Sequence, residues 1–307
     1  MYDVAIIDGQ NIAYKAFSVH KNFFVNVNGE DIYTGMTFGF LNSLIQVKQT
    51  YLKENGTFVV TWDRGHTRRT QIYKDYKANR QDKGEWDEYE NFVAQRKLLQ
   101  KVLTIVGITQ VYKNGEEADD LAGTISRIRA EKGQKVIIMS ADKDFQQLIV
   151  PGVDLLAHKS RDNIKVWNTK SWEEEFGVTS KDFSLVLALM GDKGDNVPGI
   201  MGIGPKSAFK IVSEYRDLLY DAIDVDDYSE LHLEDIKFKS KVEQKVFCKE
   251  GLDTFRLAYK LVLIDKYVEN IKVNKGKKDI DRLEYMLEIL QMHSFLRSNQ
   301  WKVLKSL

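Results

Sequence analysis

Residues 4–8 read VAIID, residues 57–63 read TFVVTWD and residues 135–142 read KVIIMSAD. Each is a short apolar run rich in β-branched residues, and each closes on an acid: Asp8, Asp63 or Asp142, with Asp144 two positions further on. Near-continuous apolar runs of this kind are what a parallel sheet buried on both faces requires. Helical spacing marks the chain between them, at about 36–54, about 86–106 and 117–131, where Ala118, Leu121, Ala122, Ile125 and Ile128 form one stripe. Strand and helix alternate, so the sequence predicts an α/β fold, a central mostly parallel sheet flanked by helices. In open parallel sheets ligand sites form beyond the carboxyl ends of the strands. One acid at such an end is ordinary turn chemistry. Three strands that all end this way predict a shared rim of carboxylates.

The run EEADDLAG, residues 116–123, opens the third helix and joins that rim from the side. Acidic residues in a first turn suit the helix macrodipole, and Asn114 three positions before Glu117 resembles a capping box. Capping does not require Asp119 and Asp120 as well. Glu117, Asp119 and Asp120 are therefore read as site carboxylates, and Glu116 as a solvent-facing spectator.

Composition allows a chemical use for such a rim. The chain has 307 residues with 45 Lys plus Arg against 45 Asp plus Glu. The balance is uneven: Arg64 to Gly84 holds seven basic residues and two acidic ones, a net +5. A neutral total thus conceals a basic surface and an acidic pocket, the pairing that suits a phosphate polymer. The candidate acids are Asp8, Asp63, Glu117, Asp119, Asp120, Asp142, Asp144, Asp192 and Asp195, and like charges so numerous need cations to converge. With oxygen donors, one cysteine (Cys248) and no paired histidine motif, the expected ions are Mg²⁺ or Mn²⁺. Two such ions suit phosphodiester hydrolysis. Without the nine acids the chain carries 45 basic residues against 36 acidic ones, a net +9 that attracts nucleic acid. The lone cysteine, and an N-terminus without a basic region and long apolar segment, predict a reducing, cytoplasmic setting and no membrane.

Two further stretches fit a nucleic-acid partner. In residues 68–86, RRTQIYKDYKANRQDKGEW, Lys74, Lys77 and Arg80 are spaced to share a helical face with Tyr73 and Tyr76 interleaved; a solvated basic helix and a substrate clamp both fit. In residues 199–208, GIMGIGPKSA, glycines, a helix start at Pro205 and the charge of Lys206 make either a phosphate anchor or a tight helix connection. Residues 222–245 read as a polar loop or linker, and 246–307 as further helices with a basic surface.

The series IIDGQN, TWDRG, YKANR, EEADD, SADKD and GDKGDNVPGIMGIGPKSA closely resembles the 5′ nuclease (flap endonuclease) family over about residues 3–215. The resemblance implies a PIN-like nuclease core, residues 1–178, with a helical arch at about 64–95, and a helical DNA-binding region, 179–307, with a helix–three-turn–helix at about 192–215. It implies a structure-dependent 5′-3′ exonuclease and flap endonuclease of replication and repair, with the nine acids on the family's metal-binding positions and Asp8 and Asp142 central to catalysis. Lys77 falls where an arch lysine contacts the scissile phosphate, assisted by Arg80, with Tyr76 stacking on a base. Lys15, Arg69, Lys74 and Lys206 are further expected DNA contacts; Lys15 replaces an arginine common in the family, a point charge for a fork. Family members often bind K⁺ at the helix–three-turn–helix. The implied substrates are DNA with 5′ flaps, 5′ ends or junctions, RNA primer–DNA hybrids remaining open, cut by a stand-alone monomer in the cytoplasm, the host's if the chain is phage-encoded. A catalytically silent DNA-junction binder is the alternative.

Overall fold

The computed structural model describes residues 1–79, 88–160, 163–297 and 299–307. The first expected run becomes β1 (Tyr2–Asp8), whose end flows directly into α1 (Gly9–His20). Asp8 caps that helix by accepting from the Asn11 amide. A small antiparallel hairpin, β2 (Phe24–Val27) and β3 (Glu30–Tyr33), precedes α2 (Gly35–Thr50). β4 (Leu52–Trp62) already begins where helical spacing still suggested helix.

The chain then passes through the short α3 (Arg69–Ile72) to α4 (Tyr89–Val106), β5 (Thr109–Tyr112), α5 (Ala118–Glu131) and β6 (Val136–Ser140). β7 (Val153–Ser160) and β8 (Asn163–Trp167) lead to α6 (Thr169–Phe176), α7 (Phe183–Met190) and α8 (Pro205–Asp224). After α9 (Lys241–Val246) and α10 (Lys249–Val262) come β9 (Lys272–Asn274), α11 (Ile280–Ile289), α12 (His293–Leu296) and α13 (Asn299–Ser306).

The main sheet runs β8-β7-β6-β1-β4-β5-β9. Its inner pairings, from β7 to β5, are parallel, and β8 and β9 close the two edges antiparallel. This is the expected α/β class. β1 sits between β4 and β6, so the three strands that end in acids are neighbours, with Ile6 level with Val59 and Ile138. Alternate β1 side chains supply the two faces. Val4 and Ile6 belong to the core that α5, α7, α8 and α10 complete, while Ala5 and Ile7 belong to the core that α1, α2 and α4 complete.

Three regions differ from expectation. The basic stretch is not one helix: α3 lasts a single turn, turns follow, and Lys77 has a left-handed φ of 57°. The helical relation between Lys74 and Lys77 is therefore broken. Residues 222–245, expected as loop or linker, are largely loop between α8 and α9, but packed loop: they contain 3₁₀ turns, with Leu231 buried and Phe238 stacked on Phe247. The last segment does not stay with the helical region expected over 179–307. β9 pairs with β5, and Leu283, Leu287, Phe295 and Leu304 are buried in the same core as Phe40 and Leu103, which ties the C-terminal segment to the first half of the chain.

Candidate metal centre and nucleic-acid cleft

Beyond the carboxyl ends of β1, β4 and β6 opens a cleft of about 350 Å³. It is lined by Asp8, Asp63, Glu117, Asp119, Asp142, Asp144 and Asp195, together with Lys77, Asn11 and Tyr14. Seven of the nine expected carboxylates thus share one space. Their positions follow from local rules. Asp8 ends β1, and its Oδ2 accepts from the Ser140 hydroxyl of β6 at 2.8 Å. Ser140 in turn accepts from the Asp142 amide at 3.0 Å, and Asp142 caps its own 3₁₀ turn by accepting from the Asp144 amide at 3.0 Å. Asp63, just past β4, accepts from the Ala118 amide at 2.7 Å and so caps the acidic helix α5 from another strand.

The electrostatics record crowding. Burial, with the neighbouring charges of Asp63 and Asp142, pushes the Asp8 carboxyl up to about 7 against hydrogen bonds from Asn11 and Ser140. Burial and Asp142 push Asp144 up to about 8. Asp119 is likewise raised by burial and by Asp120. Burial also opposes ionisation of Glu117, but Lys77 and Arg69 outweigh it and hold that carboxyl below its usual value. Lys77 sits in the cleft, its Nζ donating to Glu117 and lying 3.7 Å from Asp195, while its amide donates to the Asp195 carbonyl at 2.8 Å.

The donor set fits hard divalent cations. Every candidate ligand lining the cleft is a carboxylate oxygen, and Glu117 and Asp119 at the start of α5 bring oxygens within 4.8 Å of each other. The buried Asp144 Oδ1 has no hydrogen-bond partner among the described residues, which leaves an acceptor open to a cation. A cation in the cleft would offset the crowded negative charge and meet the open Asp144 oxygen.

Several residues differ from their expected places. Asp120 is fully buried and both its oxygens are bound by Arg69, at 2.7 and 2.8 Å, so it faces away from the cleft. Arg69 is only 3% exposed, which removes it from the set of DNA contacts. Tyr76 is 4% exposed and donates its hydroxyl to Glu117 at 3.0 Å, so its ring packs in the core instead of presenting a face to a base. Asp192 lies beside the cleft, paired with Lys143 at 2.8 Å. Glu116 is no solvent-facing spectator: it is buried against Arg68 at 3.2 Å and Lys113 at 3.6 Å. Lys15 lines a separate groove between α1 and α2. Lys74 and Lys206 are exposed. Arg80 lies outside the described residues.

Sequence reasoning missed Ser140, Asn11 and Lys143 as partners of the acids, although all three stand within the quoted motifs IIDGQN and SADKD. It also missed how the basic stretch meets the glycine-rich turn, residues 191–204, that joins α7 to α8. The Asn79 amide donates to the Lys193 carbonyl at 2.9 Å, and Asn196 donates to the Asp75 carbonyl at 2.7 Å. The turn itself depends on glycine: a Cβ on Gly199 would lie 2.1 Å from the Met190 carbonyl oxygen, and Gly191 has a φ of 67°.

Known proteins carry the same arrangement of segments. Residues 3–177 match the family described as 5′-3′ exonuclease, N-terminal resolvase-like domain, and residues 178–283 that described as 5′-3′ exonuclease, C-terminal SAM fold. The 5′-3′ exonuclease of Bacillus subtilis is 34% identical over 218 residues, covering 69% of this chain and 70% of that protein. The 5′-3′ exonuclease of Aquifex aeolicus is 30% identical over 311 residues, covering 97% of this chain and 95% of that one. Among solved structures, the bacteriophage T5 D15 flap endonuclease in a pseudo-enzyme-product complex with DNA and metal ions superposes with a TM-score of 0.65. It is 21% identical, and the match covers 94% of this chain and 99% of that one.

Proposed function

The chain belongs to the 5′-3′ exonuclease family, and from that premise we propose that it is a divalent-metal-dependent, structure-dependent 5′ nuclease that hydrolyses DNA at 5′ ends, flaps and junctions. The observation that carries this reading is the convergence of seven carboxylates from β1, β4, α5, the turn after β6 and the glycine-rich turn on one cleft beside Lys77. Asp8, Asp63, Glu117, Asp119, Asp142, Asp144 and Asp195 are the proposed ligand set for two Mg²⁺ or Mn²⁺ ions, with Asp192 holding Lys143 beside it. When bound, such ions activate water and neutralise charge developing on the phosphate.

The protein's own residues do the rest. Asp8 and Asp142, tied through Ser140, fix the floor of the site. Lys77, held by Glu117 and Asp195, places a positive charge where the scissile phosphate enters; Arg80, outside the described residues, keeps its expected assisting role. Lys74 and Lys206 meet the DNA backbone, Lys206 from the first turn of α8. The helical region expected over 179–307 grips duplex DNA, apart from its C-terminal segment, where Leu283, Leu287, Phe295 and Leu304 are buried with the nuclease core. The proposal extends to K⁺ held by backbone carbonyls of the glycine-rich turn, to RNA primer–DNA hybrids as further substrates, and to a monomer acting in the cytoplasm.

The reading is tested with a 3′-labelled 5′-flap duplex and the Asp142→Asn variant, cleavage being measured in Mg²⁺ and binding in EDTA. Binding retained with cleavage lost in the variant alone supports it. A wild-type protein that binds junctions and cuts none would support the silent binder instead.

A further inference from the structure

Arg69 stands at the foot of the basic stretch, where a phosphate contact is expected, yet all five guanidinium N–H donors are spent inside the protein. Nε donates to the Leu261 carbonyl at 2.8 Å. Nη1 donates to Glu117 Oε2 at 2.8 Å and to Asp120 Oδ2 at 2.7 Å. Nη2 donates to Asp120 Oδ1 at 2.8 Å and to the Leu263 carbonyl at 3.0 Å. Three distant segments therefore meet on one side chain: α3, the start of α5 and the end of α10. The Asp265 amide adds a further bond to Asp120 Oδ1 at 2.7 Å.

Two consequences follow. Glu117 Oε2 is taken by Arg69 and by the Tyr76 hydroxyl, so Oε1, the oxygen that meets Lys77, is the one presented to the cleft. Second, α10 packs on α7, and α7 ends at Gly191 where the glycine-rich turn begins. The same guanidinium thus ties the helices behind that turn to the acidic end of α5.

We infer that Arg69 is a positioning residue for the cleavage reaction: it fixes Glu117 with Oε1 toward the cation site and holds the DNA-gripping helices in register with that site. The inference rests on the proposed function and deepens it. Only a planar fork with five donors meets these five acceptors; lysine keeps the charge and loses the geometry.

The test uses the full chain with Arg69→Lys, and a double variant, Arg69→Gln with Asp120→Asn, which removes both charges of the buried pair so that neither is stranded. Three quantities are read per folded molecule: Mn²⁺ affinity by calorimetry without DNA, kcat and KM on a 5′-flap duplex, and the salt dependence of DNA binding in EDTA. Mn²⁺ affinity and kcat should each fall about 10- to 100-fold, as for other partners that orient metal ligands, with the salt dependence unchanged. Unchanged Mn²⁺ affinity and kcat would overturn the inference, as would a reduced salt slope with normal kcat, the mark of a phosphate contact. Tyr76→Phe, which leaves Arg69 on Oε2, is the control expected to keep Mn²⁺ affinity near that of the wild type; a loss as large as that of Arg69→Lys would assign the positioning to Tyr76 and overturn the inference. A wild-type protein that cuts no flap with any divalent cation defeats the proposed function, whereas normal cleavage by the variants defeats only the positioning role.

Discussion

The Asp63 carboxylate accepts a hydrogen bond from the Ala118 amide at 2.7 Å, so the acid that follows β4 caps the helix that opens with Glu117, Asp119 and Asp120. One residue thus serves the fold and the site together. Asp63→Asn keeps an oxygen acceptor and discards the charge, whereas Asp63→Ala loses both. Thermal melting should place Asp63→Asn near wild type and Asp63→Ala lower by about 1 kcal/mol, the usual value of a helix cap. Both variants should lose Mg²⁺-dependent cleavage. Equal melting of the two variants would contradict the capping role.

Lys77 touches two acids of the cleft and is held in a left-handed backbone conformation by the Asp195 carbonyl. Lys77→Ala should lower kcat on a flap substrate by about 10²- to 10³-fold, the cost of removing one stabiliser of developing charge, with a smaller change in KM. Single-turnover kinetics separate the two. A rise in KM alone would make Lys77 a ground-state contact.

Two acids of the cleft, Asp8 and Asp144, set a pH dependence. Asp8 and Asp144 have an ordinary value of 3.8 but are pushed up to about 7 and about 8 in the folded chain. Between those limits the folded chain keeps protons that the unfolded chain has released, so these two groups make the chelated protein less stable as pH rises through that window. Cations bind the deprotonated carboxylates and oppose the loss. The rise in Tm on adding Mg²⁺ should therefore be larger at pH 8 than at pH 6, as scanning calorimetry will read. Equal rises at the two pH values would contradict the assignment.

Lys206, exposed in the first turn of α8, is the proposed phosphate contact of the glycine-rich turn. Lys206→Ala should weaken duplex binding in EDTA and reduce the slope of log affinity against log salt by about 0.9, the signature of one lost phosphate contact. An unchanged slope would remove Lys206 from the DNA path.

Much of this was legible in the chain because it depends on local pattern. β1, β4 and β6 announce themselves by apolar continuity, and the acids at their ends stand at the rim because strand ends must. What was not legible depends on distant partners. Arg69 looks like its basic neighbours in sequence; only the Leu261 and Leu263 carbonyls, more than 190 positions away, make it a buried hub. Asp120 then turns from the cleft because Arg69 takes both its oxygens. Tyr76 departs from expectation for the same reason, since a ring that suits base stacking also suits burial once its hydroxyl meets Glu117. β9 has three residues, two of them polar, and carries no strand signal until β5 offers it an edge.

The most direct measurement is single-turnover cleavage of a 5′-flap duplex by the wild-type chain, in Mg²⁺ and in EDTA, with the ends of the products identified. Cleavage in Mg²⁺ near the junction, leaving 5′-phosphate and 3′-hydroxyl ends and abolished by EDTA, is the expected result. Cleavage that persists in EDTA, or a flap left intact in Mg²⁺ and Mn²⁺ alike, would contradict a cleft of carboxylates built to hold catalytic cations.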